Sequence, residues 1–229
     1  MGALGFDDFK EQLKLRAGNR ADLDTAGASS LNYYGIWINS AYRQLCTQDN
    51  VLGLKKNLYF PQLLTSTTKT TTDGTAYVAV PTDALYIEDV FDTTNGRNLD
   101  WISWSTYAEY TDRTSSTAEG DATEWTRRGT YIYLHPTPGT TGDTLTIYYK
   151  KLVADLSGTQ TTDIGAEWDD AIIELAAYKM FTWIHEPDKA KVSKEAFLEM
   201  AAGLADIYFN ERKDEDDNWG PSSAYLRGR

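Results

Sequence analysis

The chain has 229 residues, 41% of them hydrophobic, and a formal net charge of −12. This length fits one large domain or one domain with an insertion, and the apolar content suffices for a buried core. No apolar run approaches the roughly 20 residues that a membrane helix needs. The acidic balance excludes tight binding to duplex DNA through its phosphates, and the single cysteine, Cys46, excludes an internal disulfide.

The N-terminal part of the sequence predicts two amphipathic helices. Phe6, Phe9 and Leu13 share one face of the first helix. In the second helix, Ser29 or Ser30 is expected as the N-cap. Apolar residues recur there at steps of three and four, namely at Leu31, Tyr34, Ile38, Ala41 and Leu45.

Between about residues 58 and 153 the sequence changes to short β-prone runs separated by turns. Asp73-Gly74 and Asn95-Gly96 are examples of the turn signals, and this pattern is typical of a small antiparallel sandwich or barrel. A short helix is predicted inside this region, where Thr106 and Glu109 have capping-box spacing. The threonine-dense stretch at 65–75 receives no assignment.

After residue 163 the helical period returns in two further segments. The first carries apolar residues on two adjacent lines and is therefore expected to be buried on several sides. These lines consist of Ile172, Ala176, Met180 and Trp183, and of Ile173, Ala177, Phe181 and Ile184. Pro187 can begin the second of these two segments as a residue of its first helical turn. The apolar face of that helix is expected to carry Phe197, Met200, Leu204 and Tyr208.

The sequence therefore predicts an α+β fold, in which both chain termini contribute to one helical bundle. The bundle comprises 1–57 and 154–213, the antiparallel β module with the form of a sandwich or barrel is inserted at 58–153, and an extended tail occupies 214–229. No internal repeat is visible.

No residue constellation in the sequence indicates catalysis, a cofactor or a metal. The two histidines, His135 and His185, lack the spacing of a zinc or iron site. A glycosidase with a pair of carboxylates is conceivable from the acidic cluster of Glu167, Asp169, Asp170 and Glu174. Acids in a first helical turn are, however, expected from the helix dipole alone, so we favour a structural role and predict that the protein is not an enzyme.

The tyrosine-rich hairpin at 131–151 has apolar groups on both of its faces. Since Tyr131 and Tyr133 alternate with Ile132 and Leu134, one face is expected to be core and the other to be covered by the bundle, a neighbouring subunit or a ligand. We predict an interface with another subunit or with a further protein, formed by Trp125, Tyr131, Tyr133 and Tyr148. The alternative is a carbohydrate- or receptor-binding surface built from the same aromatic residues.

The C-terminal segment combines an acidic run with large apolar and basic residues. Gly220-Pro221 and the consecutive acids oppose folding of the isolated segment. Anchor-type side chains are nevertheless present, and these are Trp219, Tyr225, Leu226, Arg227 and Arg229. The sequence therefore predicts a tail that orders when it docks, the alternative being a purely solvating tail.

The order of these motifs resembles that of the head-to-tail adaptor, or connector, proteins of tailed bacteriophages. A helix with Trp37, Asn39, Ala41 and Leu45 precedes "YVAVPTDALYIEDV" and "EWTRRGTYIYLHPTP". In the second of these, the pattern of the family matches Trp125, Gly129, Ile132, Leu134, Pro136 and Pro138. Tyr149, Leu156, Asp163 and the helix from Trp168 then follow, so that the resemblance covers roughly residues 5–212.

This resemblance implies a structural virion protein without enzymatic activity. It implies a ring, usually of twelve copies, which docks under the portal protein and contacts a nozzle or stopper protein of the tail. DNA would pass through the ring without specific binding, in keeping with the acidic charge. On this basis the C-terminal residues Trp219, Tyr225, Leu226, Arg227 and Arg229 are expected to bind the portal. No membrane is expected to be involved, and assembly is expected in the host cytoplasm, since no signal peptide is visible.

Overall fold

The computed structural model describes residues 3–24, 32–47, 51–54, 58, 60–113 and 118–216. It confirms the predicted α+β class, with about 42% helix and 24% strand. The chain divides into two compact units, one formed by 1–62 with 153–229 and the other by 63–152. The predicted module, 58–153, encloses the second of these units. None of the described helices is long and apolar enough to span a bilayer.

Five helices are present in the described part of the chain. They are α1 (Phe6–Arg16), α2 (Tyr33–Thr47), α3 (Trp104–Arg113), α4 (Asp169–Trp183) and α5 (Pro187–Asp216), with short 3-10 turns at Ala21–Leu23, Pro61–Leu63 and Ala166–Trp168. The first unit is a helical bundle in which α4 contacts α1, α2 and α5. Helix α4 is central because it is apolar on most of its circumference, as the sequence predicted, and ten of its residues are buried.

The first helix is tied to the start of α4 by a buried carboxylate. The backbone N–H of Leu4 donates to Asp169 over 2.8 Å, and the Thr162 hydroxyl donates to the other oxygen over 3.4 Å. Phe6, Phe9 and Leu13 are buried, as predicted. Burial raises the pKa of Asp169, because desolvation outweighs the two hydrogen bonds that favour its charged form.

The N-cap of α2 differs from the sequence-based expectation, and the end of α4 is completed by its own backbone. Asn32 caps α2, since its side-chain oxygen accepts a 2.9 Å hydrogen bond from the N–H of Gly35, whereas Ser29 and Ser30 lie outside the described residues. Helix α4 ends at Trp183, and His185, two residues beyond it, has a φ of 60°. The backbone N–H groups beyond the helix donate to carbonyls of the last turn, so the peptide backbone of His185, rather than its imidazole, completes the helix.

Three expectations about the C-terminal helices were wrong. Trp183 was expected on a buried line but is 53% exposed, and Met200 is 38% exposed. The buried stripe of α5 instead uses Phe197, Ala201 and Ala205, because steps of four from Phe197 select the alanines. Helix α5 continues to Asp216, so the first residues of the predicted tail are helical.

The second unit consists mainly of two four-stranded sheets. Its strands are β1 (Leu64–Thr70), β2 (Tyr77–Ala79), β3 (Ala84–Asp92), β4 (Arg97–Asn98), β5 (Asp100–Trp101), β6 (Glu119–Gly120), β7 (Glu124–Arg128), β8 (Tyr131–His135), β9 (Thr137–Pro138) and β10 (Thr144–Lys151). The first sheet has the order β1-β10-β3-β4 and the second has the order β2-β8-β7-β5, while β6 and β9 pair separately.

Both sheets contribute side chains to one hydrophobic core. Val90, Leu145 and Ile147 from the first sheet lie in the same buried cluster as Ile132 and Leu134 from the second. This is the packing expected of a sandwich, in which alternate residues of each strand face inward. Most pairings are antiparallel, as predicted, but β5 pairs with β7 and β6 pairs with β9 in parallel.

Candidate functional site

The candidate site is the outer face of the second sheet, partly covered by α3. Helix α3 starts at Trp104 because the Ser103 hydroxyl accepts a hydrogen bond from the N–H of Thr106 over 3.1 Å. The predicted short helix is therefore present, but Ser103 rather than Thr106 caps it. Residues Tyr131, Tyr133 and His135 of β8 point toward this face, since Ile132 and Leu134 between them are buried in the core.

Aromatic rings from α3, β2 and β8 form a continuous network, which we call the aromatic surface. Its members are Tyr77, Trp104, Tyr107, Tyr110, Tyr131, Tyr133 and His135. Tyr77 meets Tyr131 edge to face at 4.7 Å, and Trp104 meets Tyr133 in the same way at 5.1 Å. At the other end, His135 stacks on Tyr110 at 4.6 Å. Such arrangements stabilise aromatic pairs beyond the area they bury.

The most exposed side chains of the aromatic surface are those of Tyr77 and Tyr131. These side chains are 45% and 40% exposed, whereas Tyr107 is 5% exposed and burial raises its pKa. The guanidinium of Arg128 lies 4.2 Å from the centre of the Trp104 ring, a cation–π contact. The surface thus offers amphipathic rings to solvent, and these rings pack against other aromatic side chains.

The four residues predicted for the interface fall in three different environments. Tyr131 and Tyr133 lie on the aromatic surface. Trp125 is 4% exposed and belongs to the core of the sandwich, because its position opposite Leu134 turns it to the inner face. Trp125 thus packs inside its own chain, which counts against the prediction that it contacts another subunit.

Tyr148 lies on the first sheet rather than on the aromatic surface. It is 44% exposed on β10, where its neighbours across the strands are Ser66 and Asp89. Tyr86 on the adjacent strand is also 44% exposed, with the Lys150 ammonium 6.0 Å from the centre of its ring. The β unit therefore exposes tyrosines on both sheets.

A second aromatic cluster, which the sequence did not indicate, lies on the helical bundle. Tyr33 stacks on Trp183 at 5.3 Å, and Trp37 lies 5.6 Å from Trp183. An open cleft of about 650 Å³ adjoins it, lined by Trp183, Arg20 and His185 among others. The Arg20 guanidinium is already held by Asp22 at 2.7 Å. The predicted anchor residues Trp219, Tyr225, Leu226, Arg227 and Arg229 lie outside the described residues.

The acidic cluster at the start of α4 has structural partners. Glu174 is buried and forms an ion pair with Arg16 of α1, and Asp169 binds the backbone of Leu4. Asp170 is exposed, so Asp170 and Glu174, which are four residues apart in this cluster, lie in different environments. Within the described ranges no group of histidine, cysteine and carboxylate side chains is arranged to hold a metal ion.

Substituting these carboxylates should affect stability rather than turnover. Glu174→Ala removes the partner of Arg16 and should lower the free energy of unfolding by about 2 kcal/mol. Asp170→Ala, the matched control on the exposed side of the same helix, should cost less than about 1 kcal/mol. Urea unfolding measures both effects. The structural assignment would be contradicted if the unmodified protein hydrolysed a polysaccharide and either substitution abolished that activity.

Exposed aromatic rings that pack against one another are typical of surfaces through which proteins contact other macromolecules. Comparison with known families gives a specific result: the chain matches the family described as SU10 adaptor protein over residues 6–227. The chain therefore belongs to this family of phage head–tail adaptors. No curated protein sequence matches it.

Proposed function

We propose that this protein forms a ring that docks under the portal and joins the DNA-filled capsid to the tail. The supporting observation is the Tyr77–Tyr131 pair, which is exposed and packs against other aromatic rings in a member of an adaptor family. Monomers that expose grouped apolar side chains usually do so at interaction sites. The proposed location is the head–tail junction of the virion, after assembly in the host cytoplasm.

Within this proposal the exposed surfaces have separate partners. Tyr131 and Tyr133 of the aromatic surface, together with Tyr148 on the other sheet, contact a neighbouring copy or the nozzle or stopper protein of the tail. The C-terminal segment beyond Asp216 contacts the portal through its aromatic and basic residues. The expected number of copies is twelve, which is the usual number in the connectors that the sequence resembles.

The mass of the complex with portal tests this function. Purified protein is mixed with a portal ring, and native mass spectrometry measures how many copies bind. A discrete number of added copies, with twelve expected, supports the proposal. Binding to the portal as single copies would contradict the ring, and failure to bind at any concentration would contradict the docking.

The proposed ring should not retain DNA that passes through it. The net charge of −12 per chain is multiplied by the number of copies, and the resulting field acts over about 10 Å at moderate salt. We expect no measurable binding to duplex DNA even at low ionic strength, where attraction of phosphates to basic groups is strongest. Fluorescence anisotropy of a labelled duplex measures this. Tight, salt-sensitive binding would show that basic residues are concentrated along the channel.

A second candidate function is carbohydrate or receptor binding by the aromatic surface. The observation that favours it is again the Tyr77–Tyr131 pair, since partly exposed rings can stack on the apolar faces of sugars. The Arg128 side chain, exposed beside Trp104, supplies a hydrogen-bond donor nearby. A glycan array separates the two functions: specific sugar binding lost in Tyr131→Ser would favour this candidate over the adaptor ring.

A further inference from the structure

Strand β1 is a long sheet edge whose protection against pairing with another chain is limited to one lysine. It occupies one end of the first sheet, and within the described residues its strand partner is β10. All seven residues pair with β10 without a register shift, so no bulge twists the edge away. The segment "LTSTTKT" contains no proline and one charge, Lys69. Natural sheets normally protect their edges by bulges, prolines, charges or short length.

The other edge strands of the two sheets are much shorter. Strand β2 has three residues, and β4 and β5 have two residues each. Short edges offer few backbone groups to a partner. Strand β3 is also open beyond its two-residue pairing with β4, but its register with β10 shifts at two places. Strand β1 is therefore the edge in the described sheets that is best suited to accept a strand. Its β-branched threonines also favour the extended conformation.

The hydrogen bonds next to β1 show which of its backbone groups point away from the sheet. The N–H of Thr71 donates to the carbonyl of Asp143 over 2.9 Å, which turns Thr71 toward β10. Because successive residues of a strand alternate in direction, Lys69, Thr67 and Thr65 also point to β10. Leu64, Ser66, Thr68 and Thr70 therefore direct their N–H and C=O groups outward.

The side chains along this edge leave room for a partner strand. Ser66, Thr68 and Thr70 are exposed, and they lie on the outer face of the sheet because the residues between them pair with buried positions of β10, such as Ile147. Small hydroxyl side chains do not obstruct the approach of another backbone.

We propose that β1 pairs in antiparallel fashion with β1 of a second copy of this chain. When the two strands are centred on Thr67, Ser66 lies opposite Thr68 of the second copy and Leu64 lies opposite Thr70. All four outward-pointing residues then pair along the full length of both strands. The single charge, Lys69, lies opposite Thr65 on the other copy, so no like charges meet. The edge is thus self-complementary.

This contact joins the first sheets of two chains across a two-fold axis. An isologous contact uses the same patch on both copies and does not by itself close a ring, so we assign the pair to the protein before it assembles. The inference rests on the edge strand and not on the adaptor role, and it holds or fails independently of portal docking. The contact involves one strand of seven residues from each copy, which is small compared with standard interfaces. The dimer should therefore dissociate on dilution.

Charge substitutions on the outer face provide a register-specific test. Ser66→Lys/Thr68→Lys places lysines opposite each other in the pair, and Ser66→Glu/Thr68→Glu does the same with carboxylates. Each double variant alone should weaken dimerisation of the full-length chain by about tenfold or more, since like charges directly opposite are destabilising. An equimolar mixture of the two should regain the dimer mass. Sedimentation equilibrium over a wide range of protein concentration measures all three.

A third double variant fixes the register. Ser66→Glu/Thr68→Lys brings opposite charges together only when position 66 faces position 68 of the second copy, so its dimer should be at least as stable as that of the unmodified chain. Thr68→Pro removes an outward N–H and should abolish the dimer, while circular dichroism reports whether the fold is kept. An unmodified chain that stays monomeric at every concentration would overturn the proposal. So would a dimer that both like-charge variants leave unchanged.

Discussion

Replacing Tyr77 and Tyr131 by serine is expected to abolish assembly of the ring on the portal. The two rings are 45% and 40% exposed and lie 4.7 Å apart, so they form the most accessible part of the aromatic surface. Central aromatic residues of an interface often contribute about 2 kcal/mol or more each. Loss of both should lower the affinity between copies by about a hundredfold or more. The mass of the complex with the portal ring measures this loss.

The fold should survive the double substitution. Both side chains are partly exposed, and the loss of their edge-to-face contact should cost about 1 kcal/mol. Tyr86→Ser is the matched control, because Tyr86 is 44% exposed but lies on the first sheet. Tyr148→Ser tests that sheet separately. Normal assembly of Tyr77→Ser/Tyr131→Ser would remove the aromatic surface from the interface, and failure of Tyr148→Ser alone would transfer the contact to the first sheet.

The elements with a strong internal period were predictable from the sequence. In α1, Phe6, Phe9 and Leu13 follow the helical repeat and are buried. The all-round apolar pattern of α4 likewise required a central position, which the structure shows. In both cases one segment contains the whole signal, because a helix forms its hydrogen bonds within itself.

The strand partners could not be predicted in the same way. Strand β1 pairs with β10, which is remote in sequence, and β5 pairs with β7 in parallel. Sheet hydrogen bonds join separate segments, so a local pattern does not identify the partner. The threonines of β1 were nevertheless a usable signal, because β-branched residues favour strands, and the sequence-based prediction left this stretch unassigned.

The aromatic surface was predictable only in part. Alternation along β8 correctly separated Tyr131 and Tyr133 from the buried Ile132 and Leu134. The same reasoning offered the bundle, another subunit or a ligand as the cover of this face, and did not consider α3, which supplies Trp104 and Tyr107. Whether Trp125 faced inward depended on its register with β8, and the sequence of one strand does not contain that information.

Removing residues 217–229 is expected to abolish binding to the portal while leaving the fold intact. The truncation keeps α5 whole, since that helix ends at Asp216. The removed segment contains Trp219, Tyr225 and Leu226, which are large apolar residues in an otherwise polar sequence. Ordering such a segment costs about 1–2 kcal/mol per residue in backbone entropy alone, so stable docking requires several strong anchors.

Two sets of substitutions in the full-length chain separate the contributions of the anchors. Trp219→Ala/Tyr225→Ala/Leu226→Ala should lower portal affinity by about a hundredfold or more, as expected when hot-spot side chains are removed. Arg227→Ala/Arg229→Ala should cost less and should make the remaining affinity less sensitive to salt, because charge-assisted contacts to acidic or carbonyl groups are lost. Surface plasmon resonance on immobilised portal measures both, with urea unfolding as the control for the fold.

The results distinguish an anchor from a solvating tail. A solvating tail contributes through its charge and length, so alanine at its aromatic positions would leave the affinity unchanged. An anchor depends on those side chains, because only buried apolar area and desolvated contacts can offset the entropy of ordering the segment. Unchanged portal affinity in the truncated chain, with an unchanged free energy of unfolding, would therefore exclude the C-terminal segment as the docking element and leave that role to the folded units.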